Sequence, residues 1–372
     1  MAELNQIDVS TKRYIRNTPK LVDNIFQQGV LAAYAKQNVR EDYDGGRFIQ
    51  ENFWYGASVG GFYNKGKEFD ITEKQLEQGC QFLPKFLEVN ITLAKEDIQV
   101  INKGPNAAFK LIESRTQNAY ITAGAFLELA MYMNGQRAGF TPMFNGLAEA
   151  INDNTTVSWD NNLYSNYGTI TRGGATGTSL NSAPNNVGGT LLYPTLEETY
   201  GRAYFGPDPF EPNLGVTTVI GSSIIKNKFQ TQQRFNDTQV MVAGFNFRGM
   251  KFNGATIVAS RYCPGSYLFG SSGTADPTAV IFMTQVSDGA LTAYPAPVGG
   301  YPAAGTNWET LFWINARKPF MNFYVSDDPE YGFGFTGFKP AQGNTKVAGQ
   351  VLYSGAVTFA PRYHQQLYNI TG

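Results

Sequence analysis

The chain has 372 residues, only 16% of them Asp, Glu, Lys or Arg, and a formal net charge of -1. Ordinary soluble domains carry roughly 25% charged residues, so this surface exerts little pull on nucleic acid or an anionic membrane and little repulsion against its own copies. One histidine beside 27 Phe, 21 Tyr and 4 Trp is poor stock for hydrolytic or metal chemistry, which draws on imidazole, and rich stock for contact surfaces.

Along the chain, residues 1–17 are polar, mixed in charge and without period, and read as an arm. Thr18-Pro19 is a helix start, a hydroxyl cap before a proline at the first helical position, with Leu21, Val22, Ile25 and Phe26 on one stripe and a second short helix near Val30–Tyr34. The turn Tyr43-Asp44-Gly45-Gly46-Arg47 leads into Phe53-Trp54-Tyr55, and residues 56–84, punctuated by glycines, read as an extended excursion. Leu87, Val89, Ile91 and Leu93 alternate with Glu88, Asn90, Thr92 and Ala94, which predicts a strand with one wet face. Residues 105–134 carry apolar residues at three- and four-residue spacing, predicting a helix with one narrow apolar face and a length on the order of 45 Å. A shorter helix follows at Phe144–Ile151. The nearly uncharged stretch 152–195, with Trp159, Tyr164 and Tyr167, reads as loops decorating a scaffold. From about 214 the pattern is β: Val216–Ile220, Gln239–Phe247, Thr256–Ala259, Ala279–Phe282, Thr310–Ile314, Asn322–Val325 and Val351–Phe359, with one helical stretch near 223–230. The class is α+β, with helices early and sheet late.

Candidate chemical sites do not survive inspection. Arg172-Gly173-Gly174-Ala175-Thr176-Gly177-Thr178 lacks the Gly-Lys-Ser/Thr ending of a phosphate loop. No His, Cys and carboxylate spacing suits zinc, and neither Asp208/Glu211 nor Asp327-Asp328/Glu330 follows a calcium-loop order. His364 has no nucleophile elbow to serve, and no βα rhythm sets paired carboxylates at barrel strand ends for a glycosidase. The sequence therefore points to no catalytic residue, cofactor or metal. Lys12, Arg13, Arg16 and Lys20 are balanced by Glu3, Asp8 and Asp23, leaving a weak, nonspecific grip on a polyanion. Cys80 and Cys263 leave room for one disulfide but exclude a framework, and they read as buried free thiols. No apolar leader follows Met1 and no run nears about 18 apolar residues, so the expectation is folding in a reducing cytoplasm without a membrane span.

Taken in order, the segments Asn17–Phe26, Asp44-Gly45-Gly46-Arg47-Phe48-Ile49, Arg248–Val258, Tyr262-Cys263-Pro264-Gly265 and Gly355–Asn369 with Pro361-Arg362-Tyr363 make the chain resemble a major capsid protein of tailed bacteriophages with the Hong Kong 97-type fold. That resemblance implies an N-terminal arm over 1–42, an extended loop over 43–86, a peripheral domain over 87–150 with spine helix 105–134, a mainly axial domain over 151–345 and a C-terminal strand and tail over 346–372. It implies pentamers and hexamers closing into an icosahedral shell around double-stranded DNA, contacted without sequence reading. Scaffolding, portal and decoration proteins are its usual company, and the expected location is the virion capsid, assembled in the host cytoplasm. An excursion with few apolar anchors becomes tolerable when a neighbour covers Phe53, Trp54, Tyr55, Phe62, Tyr63 and Phe69, with Asp44 and Arg47 setting its angle at the root. Some members crosslink a Lys to an Asn; Lys65 and Lys67 lie in the right loop, but no partner is identified. The rivals are a helical tail or sheath protein, the shell of a cargo-enclosing nanocompartment and a carbohydrate-active protein.

Overall fold

A computed structural model describes residues 29–69, 71–97, 111–136, 142–173, 177–203, 209–230, 249–269, 308–340 and 346–372. The Thr18-Pro19 helix start, the beginning of the long helix at 105–110 and the expected strands at 239–247 and 279–282 lie outside these residues.

The described elements in chain order are α1 (Val30–Asn38), β1 (Arg40–Tyr43), β2 (Ile49–Trp54), β3 (Glu77–Phe82), β4 (Lys85–Ala94), α2 (Leu111–Tyr132), α3 (Leu147–Ala150), β5 (Asn166–Tyr167), β6 (Ile170–Thr171) and β7 (Asn185–Thr190). After them come α4 (Tyr193–Ala203), β8 (Leu214–Thr217), α5 (Val219–Gln230), β9 (Gly249–Phe252), β10 (Ala255–Ala259), α6 (Ser266–Phe269), β11 (Glu309–Ile314), β12 (Met321–Ser326), β13 (Gly332–Phe335), β14 (Lys339–Pro340), β15 (Lys346–Phe359) and β16 (Gln365–Thr371). The mixture of helix and sheet is the α+β class read from the sequence.

Two sheets organise them. In the first, the fourteen-residue β15 is paired antiparallel along Lys346–Gly355 by β4. Its other edge is followed by β14, β13 and β12 in turn, and β1 joins β12 in parallel. The alternation in β4 does what its sequence says: Ile91 and Leu93 are buried, Leu87 and Val89 half-buried, and Glu88, Asn90 and Thr92 exposed. Against this inner face lie Ala119 and Ala123 of α2, in one cluster with Val351 of β15.

The second sheet has the order β7-β16-β11-β8-β10-β9. Every residue of β11 is buried. Leu311 and Trp313 pack with Leu196, Tyr200 and Ile225 of α4 and α5, whereas Phe312 and Ile314 point into the main core. A strand covered on both faces reads as a continuous apolar run, which explains the Leu-Phe-Trp-Ile sequence.

Helix α2 bridges the two sheets, and here the expectation of one narrow apolar face is corrected. Residues 125–134 are buried on every side, because Ala125, Phe126, Leu127, Leu129, Ala130, Met131, Tyr132 and Met133 form an almost unbroken apolar run, and a helix apolar all round belongs inside. Tyr132 meets Phe312 of the second sheet at 5.5 Å between ring centroids. The 152–195 stretch is also corrected. Trp159, Tyr164 and Tyr167 are buried in the main core, so part of this stretch runs through the interior, and β5, β6 and β7 lie within it. Arg172, itself buried, donates to the carbonyls of Asn152 and Leu180 in this stretch and of Glu149 and Ala150 in α3, which offsets part of the cost of burying irregular chain. The helix expected at Phe144–Ile151 shrinks to the four residues of α3.

Candidate assembly interface

The excursion between β1 and β4 divides into an anchored root and a bare tip. Strands β2 and β3 pair antiparallel from Ile49↔Phe82 to Trp54↔Glu77. Alternation sets Ile49, Glu51 and Phe53 toward the body and Gln50, Asn52 and Trp54 away from it. Glu51 Oε1 accepts three hydrogen bonds, from Asn322 Nδ2 at 2.8 Å, Tyr324 Oη at 2.7 Å and Thr358 Oγ1 at 2.8 Å. A carboxylate with three donors is a strong charge-assisted clamp, and it ties β2 to β12 and β15. Burial, then the Glu51 carboxylate, push the Tyr324 phenol well above its ordinary range.

On β3, Cys80 and Phe82 are buried. Cys80 Sγ donates to the Tyr167 carbonyl at 3.0 Å, and the Gln81 N–H donates to Thr169 Oγ1 at 3.1 Å. Phe82 meets Tyr167 edge-on at 5.1 Å, while the Tyr167 hydroxyl donates to the Phe359 carbonyl at 2.9 Å and accepts its N–H at 2.8 Å. Gly168, in the left-handed region at φ 54°, allows this contact, since a Cβ there would lie 2.6 Å from Cys80 Sγ. Both cysteines are free thiols, and burial pushes Cys80 up to about 12.

Beyond Trp54 the chain loses its anchors. The Trp54 side chain is 80% exposed, its indole N–H donating to Glu77 Oε1 at 2.7 Å. Phe62 is fully exposed and Ile71 93% exposed; Tyr63 and Phe69 are exposed too and meet each other edge-on at 4.9 Å. Apolar side chains concentrated on one projection mark an interaction surface.

No protein-family model matches the sequence, and no curated protein matches it either. Solved structures match it end to end. The cyanophage A-1(L) capsid aligns with a TM-score of 0.60 at 12% identity, covering 95% of this chain and 96% of that one. The holo-SrpI encapsulin complex from Synechococcus elongatus aligns at 0.57 and 8%, covering 100% and 97%. The capsid of a native GTA particle aligns at 0.55 and 8%, covering 99% and 100%. This chain has the Hong Kong 97-type capsid fold. The solved structures that share it here are shell components rather than enzymes.

Within the Hong Kong 97-type fold, the residues singled out from the sequence fall into three groups. Trp54, Phe62, Tyr63 and Phe69 lie exposed on the projection. Phe53 and Tyr55 are half-buried; Phe53 packs on this chain's own core, and the Tyr55 N–H bonds the Leu76 carbonyl at 3.0 Å. Asp44 makes no hydrogen bond to a described residue, and Arg47 lies over the Phe48 ring at 5.2 Å. Around them, Gly45 and Gly46 take positive φ, the Tyr43 hydroxyl donates to the Gly46 carbonyl, and the Glu51 clamp ties β2 to the body. Sequence reasoning missed Glu51. The signal was available, since alternation from Ile49 to Phe53 places a carboxylate on the inward face, where it requires donors.

His364 is a structural residue. Fully buried, it accepts the Asn315 N–H at Nδ1 (3.3 Å) and places Nε2 3.0 Å from the Phe320 carbonyl. Among the described residues no group of three His, Cys, Asp or Glu side chains could hold a metal, and no helix is long and apolar enough to cross a membrane.

Proposed function

We propose that this chain is the major capsid protein of a tailed phage, assembling as pentamers and hexamers into an icosahedral head around double-stranded DNA. The observation that carries the reading is the full-length capsid fold together with a projection that is clamped to its own subunit at the root and bare at the tip. Its exposed residues, Trp54, Phe62, Tyr63 and Phe69, are the proposed contacts to neighbouring copies, with Tyr55 and Arg47 at the flanks. The arm over 1–42, loop over 43–86, peripheral domain over 87–150, mainly axial domain over 151–345 and closing strand over 346–372 are proposed on the same basis, as are the virion location, assembly in the host cytoplasm and any scaffolding, portal or decoration partners. A second reading, the shell of a nanocompartment, is favoured by the encapsulin likeness.

Negative-stain electron microscopy of the purified recombinant chain, with molar mass by light scattering, tests the shell. Closed particles or free pentamers and hexamers are expected; tubes would move the assignment to a tail or sheath protein, and a strict monomer at every concentration and salt, with or without the neighbouring gene products, would overturn it. Particles isolated from the native source separate the two shell readings, by nuclease-protected double-stranded DNA inside or an enclosed protein.

A further inference from the structure

Helix α1 has nine residues, fewer than the roughly 12–15 an isolated helix needs to hold itself. Its N-cap is Gly29, which has no side chain to receive the first N–H groups. The cap comes from another helix. Glu128 of α2, 96 residues away, accepts the Ala32 N–H on Oε2 at 2.5 Å and takes the Leu31 N–H as well. Its Oε1 is held by the hydroxyls of Tyr132 at 2.8 Å and of Ser260, just past β10, at 3.0 Å. The Glu128 side chain is fully buried, and no basic residue among those described forms an ion pair with it. A buried carboxyl without a cation is costly unless it is hydrogen-bonded, and the positive end of the α1 dipole offsets part of that cost. The approach is close: a Cβ on Gly29 would lie 2.6 Å from Glu128 Cβ.

The rest of α1 is seated unevenly. Val30, Leu31 and Ala35 are buried, yet a groove of about 590 Å³ opens between α1 and α2, lined by Ala32, Ala33, Gly124 and Ala125. Lys36 lies over the Phe333 ring at 4.7 Å, and the Tyr34 hydroxyl accepts from Asn213 Nδ2 at 2.9 Å. The C-terminal end is tied into the first sheet, where the Val39 carbonyl accepts the Phe323 N–H at 2.9 Å and β1 pairs with β12.

We infer that α1 is a hinged strap, fixed to the first sheet at Val39–Arg40 and latched to α2 by Glu128. Tyr132 and Ser260 are positioning residues that aim the latch. Latched, the strap sets the point from which the chain before Gly29 leaves the body; released, it swings about its C-terminal end and opens the groove along α2. The inference goes beyond the shell reading and stands without it.

Hydrogen exchange of full-length dissociated subunits, read by mass spectrometry, tests the latch, since exchange reports local opening. Glu128→Ala should speed exchange at 30–38 at least about tenfold, and Glu128→Gln, which keeps one acceptor, at least about threefold. Residues 40–43 and 365–371 should keep their wild-type rates. Ser260→Ala removes a hydroxyl that bonds Glu128 and the Tyr262 N–H rather than α1. It should also speed 30–38 severalfold, and add nothing in the Glu128→Ala background, because it acts through the carboxyl. If Glu128→Ala does not fold, Glu128→Gln and Ser260→Ala decide the matter. Unchanged exchange at 30–38 in those two variants overturns the inference. A rise shared equally by 365–371 does so too, because it marks general loss of stability, and a rise that takes 40–43 along removes the hinge.

Discussion

The single histidine allows one electrostatic contribution to be read in isolation. Burial pushes His364 from its ordinary 6.5 down to about 4, against the opposing pull of its hydrogen bond to the Phe320 carbonyl. Because the unfolded chain takes up a proton near pH 6.5 and the folded chain only near 4, the neutral ring contributes stability that is present above about 6.5 and lost as pH falls toward 4. A separation near 2.5 pK units is worth about 3.4 kcal/mol in full, of which about 3 kcal/mol is lost between pH 7 and pH 4. Three buried acids act with the opposite sign. Burial raises Glu128, Glu149 and Glu309, so their contribution is present at low pH and fades as pH rises through their folded values. The pH profile of the wild type alone therefore mixes both. Comparison with His364→Gln isolates the imidazole. Denaturant unfolding of dissociated subunits, followed by the fluorescence of the buried Trp159, Trp308 and Trp313, should show the variant less stable at pH 7 and the gap narrowing by about 3 kcal/mol by pH 4. A gap that stays flat over this range, or an imidazole signal titrating near 6.5 in the folded protein, would refute the argument.

Four further outcomes are expected. Glu51→Ala strands three donors and should cost about 2–3 kcal/mol, at roughly 1 kcal/mol per net hydrogen bond, while Glu51→Gln, which keeps an acceptor, should cost about 1; amide exchange in 49–54 and 77–82 would rise in the first variant and little in the second. Gly168→Ala combines a left-handed backbone with a clash on Cys80 and should destabilise by about 2–4 kcal/mol, seen as a lower urea midpoint. Cys80 and Cys263 should resist thiol reagents at pH 8 in the native protein and react fully once unfolded, because burial raises both thiols. Trp54→Ser should alter subunit stability by no more than about 0.5 kcal/mol, since the indole is exposed, yet weaken association measured by sedimentation.

What the sequence disclosed depended on whether one face of an element stayed wet. Strand β4 could be placed to within two residues because Glu88, Asn90 and Thr92 mark its outer face. Strands β10, β11, β12 and β15 were found from their β-branched and aromatic runs. Helix α5 was missed at its start, because Val219 and Ile220 extend the β-like run of β8. The overlooked signal was Thr218, whose hydroxyl accepts the Gly221 N–H at 2.9 Å as a helix cap. The β2/β3 ribbon was invisible because its partners are separated by the whole tip and nothing local encodes their register. In 152–195 the scarcity of charge suggests a surface loop, whereas uncharged polar residues around buried aromatics are what an irregular segment needs to satisfy its backbone inside a core.

That division also explains why the proposed interface was half legible. The tip residues stood out by composition, since aromatics among glycines and lysines have no local reason to be there. The root did not, since its work is done by Glu51, Cys80 and Tyr167, each ordinary in sequence and defined only by what the fold brings to it. A projection fixed at its base by a three-donor clamp has one rigid bearing relative to its own sheets, so its direction is a property of the subunit before any neighbour arrives. The apolar tip then needs only to be met. On the proposed shell reading, orientation is settled within the monomer, where the clamp forms once, and the tip is left free for the neighbouring copy, an arrangement that lets many weak identical contacts close on a single geometry.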